Sequence, residues 1–140
     1  MRLPIQAIEA MIFRRNGNSI EYLLLKRLPD RNGFWHWQPV TGGLEEGETP
    51  TDALYREIEE ETGIKSLLRV IEGLYCFEFS DPNLNKEYVY GVEVSPEEEV
   101  VLDGKEHSEY RWCSIEDALQ LLHWKENKEA LRRLNGILLS

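Results

Sequence analysis

Cysteine is scarce in this chain, and the two present, Cys76 and Cys113, lie far apart among apolar and aromatic neighbours with no Cys-x-x-Cys spacing. That pattern excludes a disulfide framework and a thiolate zinc site, and both residues are read as buried free thiols. Long apolar runs are also missing. None approaches the roughly 18 residues that span a bilayer, and Pro4 and Glu9 interrupt the stretch where a secretion signal needs continuous apolar residues. A cytoplasmic protein without a membrane partner is expected. Positive charge is in short supply, 16 Lys and Arg against 26 Asp and Glu, for a formal net charge of −10. A groove for nucleic acid needs clustered Lys and Arg, so nucleic acid is excluded as a partner. A polyphosphate can be held only if cations or local basic residues offset the repulsion. No internal repeat or low-complexity segment is present.

What remains is the composition of a soluble globular protein, 41% apolar and 30% charged over 140 residues. That length suits one domain, residues 1–140, with one core. Residues 5–14 and 20–26 are β-forming runs around Asn16-Gly17-Asn18, a hairpin signal. After the loop residues Leu28 to Gly33, an aromatic strand is expected over Phe34 to Val40, with Pro39 marking an edge or a strand end. A glycine-rich loop carrying Gly42, Gly43 and Gly47 follows. Thr49, Pro50 and Asp52 then announce a helix: Thr49 can cap it, Pro50 suits its first position, and Asp52 completes a capping-box-like pair. Its end is expected at Gly63. Strands return over Leu67 to Phe79 and Glu87 to Val94, separated by the turn Asp81-Pro82-Asn83. A last short strand is read at Tyr110 to Cys113, a helix from Ser114 through about Leu122, and a final amphipathic helix near Lys125 to Leu138.

The first helix carries the chemistry. Positions three and four apart stack on one side of a helix, so Glu57, Glu60 and Glu61 share a face while Glu59 points elsewhere. Like charges at this spacing cost roughly 0.2–0.5 kcal/mol per pair, and clustered carboxylate oxygens are what a hard divalent cation prefers. Ala53, Leu54 and Ile58 supply the apolar face that docks the helix on a core.

Gly42, Glu48, Arg56, Glu57, Ile58, Glu60, Glu61, Gly63 and Ile64 fall at the fixed positions of the Nudix hydrolase signature, and this stretch closely resembles that family with no fixed position deviating. The resemblance is strong over residues 34–64 and rests on pattern alone in the flanks. It implies an α/β (α+β) fold, an α/β/α sandwich with a mixed sheet and a loop-helix-loop catalytic motif. It further implies that Glu57, Glu60 and Glu61 bind Mg2+ or Mn2+, joined by the backbone carbonyl of Thr41. Gly42, Glu48, Arg56 and Gly63 take the supporting role of holding loop and carboxylates in place. The proton acceptor is left among Glu57, Glu60 and Glu106, the last of which precedes the final strand where some family members place an additional ligand or base; a solvated loop Glu is the equal alternative. His107 is read as a surface residue.

The flanks bear on the substrate. Trp37 to Gly42 and the late segments Glu106 to Trp112 and Trp124 to Ala130 resemble the dihydroneopterin triphosphate and dATP pyrophosphohydrolase branch. That implies a nucleotide or nucleotide-like polyphosphate partner, cleaved to pyrophosphate and a monophosphate. Asymmetrical diadenosine tetraphosphate hydrolases typically carry Pro-Lys-Gly where this chain has Val40-Thr41-Gly42, and they stand as the alternative, with a non-catalytic nucleotide-binding module as the second. Trp37 and Gln38 are candidate substrate contacts. Phe34, Trp35, Tyr75, Phe77 and Phe79 offer stacking surfaces, about half of them expected in the core. Lys26 and Arg27 end the second strand, where they either reach terminal phosphates or serve solubility. The family often forms dimers, which leaves a homodimer open.

Overall fold

A computed structural model describes residues 3–80 and 82–140; Asp81, in the expected turn, lies outside the described residues. The hairpin forms as β1 (Ile5–Asn16) and β2 (Ser19–Arg27), with Asn16 paired to Ser19 so that Gly17 and Asn18 alone make the turn. Gly17 sits at φ +66°, a conformation that only glycine adopts without cost.

The expected strand over Phe34 to Val40 is two short strands instead. Phe34 and Trp35 stay outside them, β3 (Trp37–Gln38) pairs with β2, and β4 (Val40–Gly43) pairs with β1. Pro39 is the break, because it has no N–H to continue a ladder. Gly42 and Gly43, expected in a loop, thus belong to a strand. The long hairpin is β5 (Arg69–Ser80) and β6 (Leu84–Glu93), and β7 (His107–Cys113) closes on β2.

These strands make one mixed seven-stranded sheet in which β1 runs parallel to β6 and antiparallel to β2 and β4. β2 and β4 share one side of β1, taking residues 13–16 and 7–10 respectively. Alternation along β1 creates two cores. Ile8, Ala10 and Ile12 face α1 (Pro50–Thr62), where they meet Leu54 and Ile58. Met11 and Phe13 face α2 (Ile115–Leu121) and α3 (Lys125–Leu139), where they meet Ala118, Leu131 and Leu134. The result is the α/β/α sandwich expected.

Cys113 is buried as expected, but Cys76 is exposed. Cys76 lies on β5, most of whose residues are exposed or only partly covered, so apolar sequence neighbours do not bury it.

Candidate active site

The capping box at the start of α1 is complete: Asp52 N donates to Thr49 Oγ1 at 3.1 Å, and Thr49 N donates to Asp52 Oδ2 at 3.0 Å. Gly63 ends the helix in the left-handed region at φ +75°, its N–H donating to Glu59 O at 2.9 Å. Between these fixed ends the three glutamates do not share one environment. Glu61 follows Leu54 and Ile58 at helical spacing and is carried inward with them, 2% exposed. Glu57 sits at the boundary, and the Glu60 side chain is 54% exposed. Glu59 is outside the group, 3.9 Å from Lys65.

Gly42 makes room for this. It pairs with Ile8 on β1 and lies directly beneath Glu57: a Cβ there would stand 2.6 Å from Glu57 Cγ and closer still to the carboxyl carbon. The glycine is required by close approach, not by backbone angle. Arg56 braces the surroundings. Its Nε and Nη2 donate to the two oxygens of Glu48 at 2.7 and 2.9 Å, Nη1 donates to Glu57 at 2.6 Å and to Glu60 at 3.2 Å, and Nη2 donates to Gly43 O at 2.9 Å. Glu48 also accepts from Glu45 N at 2.7 Å. The Arg56 guanidinium, with that backbone N–H second, holds the Glu48 carboxyl down at about 2, and Arg56 is itself raised.

Glu57 and Glu61 are driven the other way. Burial raises Glu57 despite its bond to Arg56. Burial first, and the neighbouring Glu57 carboxyl second, push Glu61 up to about 10, and neither Glu61 oxygen has a hydrogen-bond partner. A buried carboxyl without donors, beside a second carboxyl, is a poor arrangement for stability by itself. It is the arrangement a bound cation relieves, so the donor set fits a divalent metal.

His107, expected at the surface, is 1% exposed, with Nδ1 3.5 Å from Glu61 Oε1. The strand β7 begins at this residue, three positions earlier than expected, and pairing with Arg27 carries it inward. Gln38 orients it. His36 Nε2 lies 3.0 Å from Gln38 Oε1, and Gln38 Nε2 lies 3.0 Å from His107 Nε2. An amide nitrogen can only donate, so His107 Nε2 accepts and its proton sits on Nδ1, facing Glu61. Burial lowers the pKa of His107 and so favours this neutral form. Glu106 is exposed, and a carboxyl oxygen of it, a carboxyl oxygen of Glu61 and a ring nitrogen of His107 all lie within 4.8 Å of one another.

Of the expected substrate contacts, Gln38 is brought to the site and Trp37 is not. Trp37 packs in the core beneath α2 and α3 and bridges to Leu122. Lys26 is drawn to that same side, 3.6 Å from Glu109 and stacked 4.4 Å from the Trp35 ring. Arg27 is exposed at the end of β2, beside His36 and His107, both of which its charge pushes toward the neutral form. Thr41 is next to Gly42 but on the other side of the strand, where it pairs with Glu9.

A residue that sequence reasoning passed over lies there. Glu9 is fully buried, and Asn127 Nδ2 donates to its Oε1 at 2.6 Å. Burial first, and the Glu87 charge second, raise Glu9 well above the carboxylate range. Glu9, Thr41, Gln38, Phe77, Glu87 and Asn127 are among the residues lining a cavity of about 400 Å3. The signal was a glutamate inside an otherwise apolar strand core, Ile8 to Phe13.

The NUDIX domain model matches residues 4–134. The chain is 33% identical over 147 residues to the bis(5'-nucleosyl)-tetraphosphatase (asymmetrical) of Mus musculus, covering 99% of this chain and 98% of that protein. It is 34% identical over 133 residues to an octanoyltransferase of Myxococcus xanthus, covering 93% of this chain but spanning only 36% of that protein's length. The solved structure of the E. coli dihydroneopterin triphosphate pyrophosphohydrolase superposes with a TM-score of 0.76 at 26% identity, over 94% of this chain and 97% of the other.

Proposed function

This chain belongs to the NUDIX domain family and is a hydrolase of phosphoanhydride bonds, and from that premise we propose that it cleaves a dinucleoside tetraphosphate asymmetrically, with a divalent metal at Glu57 and Glu61. The observation that carries the reading is the pair of crowded, partly unpartnered carboxyls over Gly42. Glu57, Glu61 and the carbonyl of Thr41 would hold Mg2+ or Mn2+, with Glu60 at the rim. Bound there, the metal supplies charge neutralisation at the phosphates and a water of lowered pKa. The chain's own residues do the rest. Arg56 fixes the carboxylates through Glu48, Glu57 and Gly43, the neutral His107 faces Glu61 with its Nδ1 3.5 Å away, and Arg27 offers a cation beside them for a phosphate. Glu106 takes the proton in this reading, since it is exposed beside Glu61 and, among the described residues, has no ion pair, whereas Glu57 and Glu60 are both engaged by Arg56.

The substrate is argued from likeness: the mouse protein that matches over nearly its whole length is named for hydrolysis of dinucleoside tetraphosphates. The second reading, a nucleoside triphosphate of the dATP or dihydroneopterin type, is favoured by Val40-Thr41-Gly42 and by the E. coli structural likeness. Product identity separates them. ATP plus AMP from diadenosine tetraphosphate supports the first; pyrophosphate plus a monophosphate from a triphosphate supports the second. Glu61→Gln should cut either turnover by orders of magnitude with the fold retained, and unchanged metal-dependent turnover in Glu61→Gln and Glu60→Gln alike would sink the site assignment.

A further inference from the structure

A row of polar side chains leads from the half-buried His36 inward to Glu61. His36 Nε2 lies 3.0 Å from Gln38 Oε1, Gln38 Nε2 lies 3.0 Å from His107 Nε2, and His107 Nδ1 stands 3.5 Å from Glu61 Oε1. The last gap is too long for a hydrogen bond, and neither atom has one. It is nevertheless the spacing of two ligands on one ion, since an imidazole nitrogen and a carboxylate oxygen bound tetrahedrally to zinc stand roughly 3.4 Å apart. Glu106 completes the group: one ligand atom from each of Glu61, Glu106 and His107 lies within 4.8 Å of the others. Two carboxyls and an imidazole are a zinc-type donor set. What bars the imidazole is a proton. Because the Gln38 amide nitrogen donates, the ring nitrogen facing it is bare, and a neutral imidazole then carries its one proton on Nδ1, where no lone pair is left for a metal.

Resting on the metal reading above, we propose that Gln38 is a positioning residue for metal selectivity: by fixing the tautomer of His107 it withholds the imidazole from the ion and leaves a site of oxygen donors only. Mg2+ and Mn2+ suit oxygen donors, whereas imidazole suits Zn2+. The direction of the row is consistent from end to end. A Glu61 that ligates a cation is ionised and accepts only, so it favours an N–H on the ring edge that faces it. His107 Nε2 then accepts, Gln38 donates through its nitrogen and accepts through its oxygen, and His36 Nε2 donates. Turning the amide over would move the two protons to His107 Nε2 and His36 Nδ1, and the latter is a buried nitrogen with no partner. Burial keeps the choice with the amide. Gln38 is 7% and His107 1% exposed, so bulk water does not take the place of the Gln38 donor.

The tautomer is read from the nitrogen NMR shifts of the histidine rings in the Mg2+-saturated protein, where His107 should show a protonated Nδ1 and a bare Nε2. Selectivity is read by calorimetric titration of Zn2+ and of Mn2+ into the metal-free chain. Gln38→Met keeps a similar shape and removes the donor, so the ratio of Zn2+ to Mn2+ affinity should rise about tenfold or more over the wild type, the scale on which partners behind a metal ligand act. Adding His107→Leu should abolish that rise. A merely structural role would weaken both ions alike. Gln38→Glu, whose carboxylate accepts from Nε2, takes the place of Gln38→Met should the latter not fold, with the same rise expected. A proton on His107 Nε2 in the wild type, a ratio changed by less than about threefold, or a rise that survives His107→Leu would overturn the proposal. A wild-type chain that binds neither ion would overturn the metal site along with it, whereas ordinary Mn2+ binding with an unchanged ratio overturns this inference alone.

Discussion

Substituting Gly42 by alanine adds one methyl group where the structure has none to spare. The new Cβ would stand 2.6 Å from Glu57 Cγ and nearer still to Cδ and Oε1, whereas carbon atoms rest about 3.5–4.0 Å apart. Something must yield by roughly 1 Å or more. β4 cannot, because Gly42 is paired in register with Ile8, which is fully buried under α1. The Glu57 carboxylate therefore swings away, losing its 2.6 Å bond to Arg56 and its place beside Glu61. Overpacking of this kind costs about 1–3 kcal/mol. Metal ligands tolerate only about 0.2 Å of displacement, and even disturbing the partners behind ligands costs about 10–100-fold, so turnover at limiting Mg2+ should fall by about 100-fold. Gly42 has an ordinary negative or extended φ, so alanine brings no backbone strain to confuse the result. The adjacent Gly43→Ala is the control, since a Cβ there meets only Gln6 O at 3.9 Å. Initial rates across a Mg2+ titration, with melting curves for both variants, decide it. Equal Mg2+ dependence in Gly42→Ala and Gly43→Ala would refute the close-approach reasoning.

Three further outcomes are expected. In the metal-free protein, stability should decline from pH 7 to pH 9: Glu61 keeps its proton up to about 10 when folded but loses it near 4.5 when unfolded, so the unfolded state binds fewer protons throughout that window. The slope is at most about 1.4 kcal/mol per pH unit for one such group; His36 and His107, whose pKa values are lowered, act only below their unfolded value of 6.5. Chemical denaturation at several pH values should give a shallower slope for Glu61→Gln, with Glu9, Glu57 and Glu87, all raised by burial, contributing what persists, and identical slopes would contradict the burial argument. Arg56→Lys should reduce turnover about 10–100-fold with little change in melting temperature, because an ammonium cannot reproduce the paired bonds to Glu48 together with those to Glu57 and Gly43. Thr49→Ala, which removes one half of the capping box, should cost about 1 kcal/mol and lower the melting midpoint by about 3 °C, measured by circular dichroism.

Helix α1 was legible in the sequence almost to the residue, because its limits are set by local chemistry: Thr49, Pro50 and Asp52 at one end and a left-handed Gly63 at the other. The hairpin at Gly17 was legible for the same reason. The family signature covers this same local segment, so spacing placed the carboxylates on one face and the resemblance named the supporting arginine and glycine. Beyond it the local signals ran out. The aromatic run at Phe34 reads as one strand by composition, yet Pro39 divides it and the two pieces pair with different neighbours. His107 reads as a loop residue by its acidic surroundings; only the pairing of β7 with β2 buries it against Glu61.

Helical spacing also put Glu57, Glu60 and Glu61 on one face, but spacing carries no information about where the sheet lies. Docking α1 through Leu54 and Ile58 is what buried Glu61, left Glu60 in water and pressed Glu57 against Gly42. Glu9 shows the limit most clearly. It is 118 positions from Asn127 in the chain, and their meeting depends on α3 folding back across β1. The sequence by itself determined which carboxylates could gather a cation, since they stand within one helix whose geometry is local. The tertiary structure decided which of them are desolvated and what faces the cavity across β4, since burial and pairing are set by contacts between segments distant in the chain.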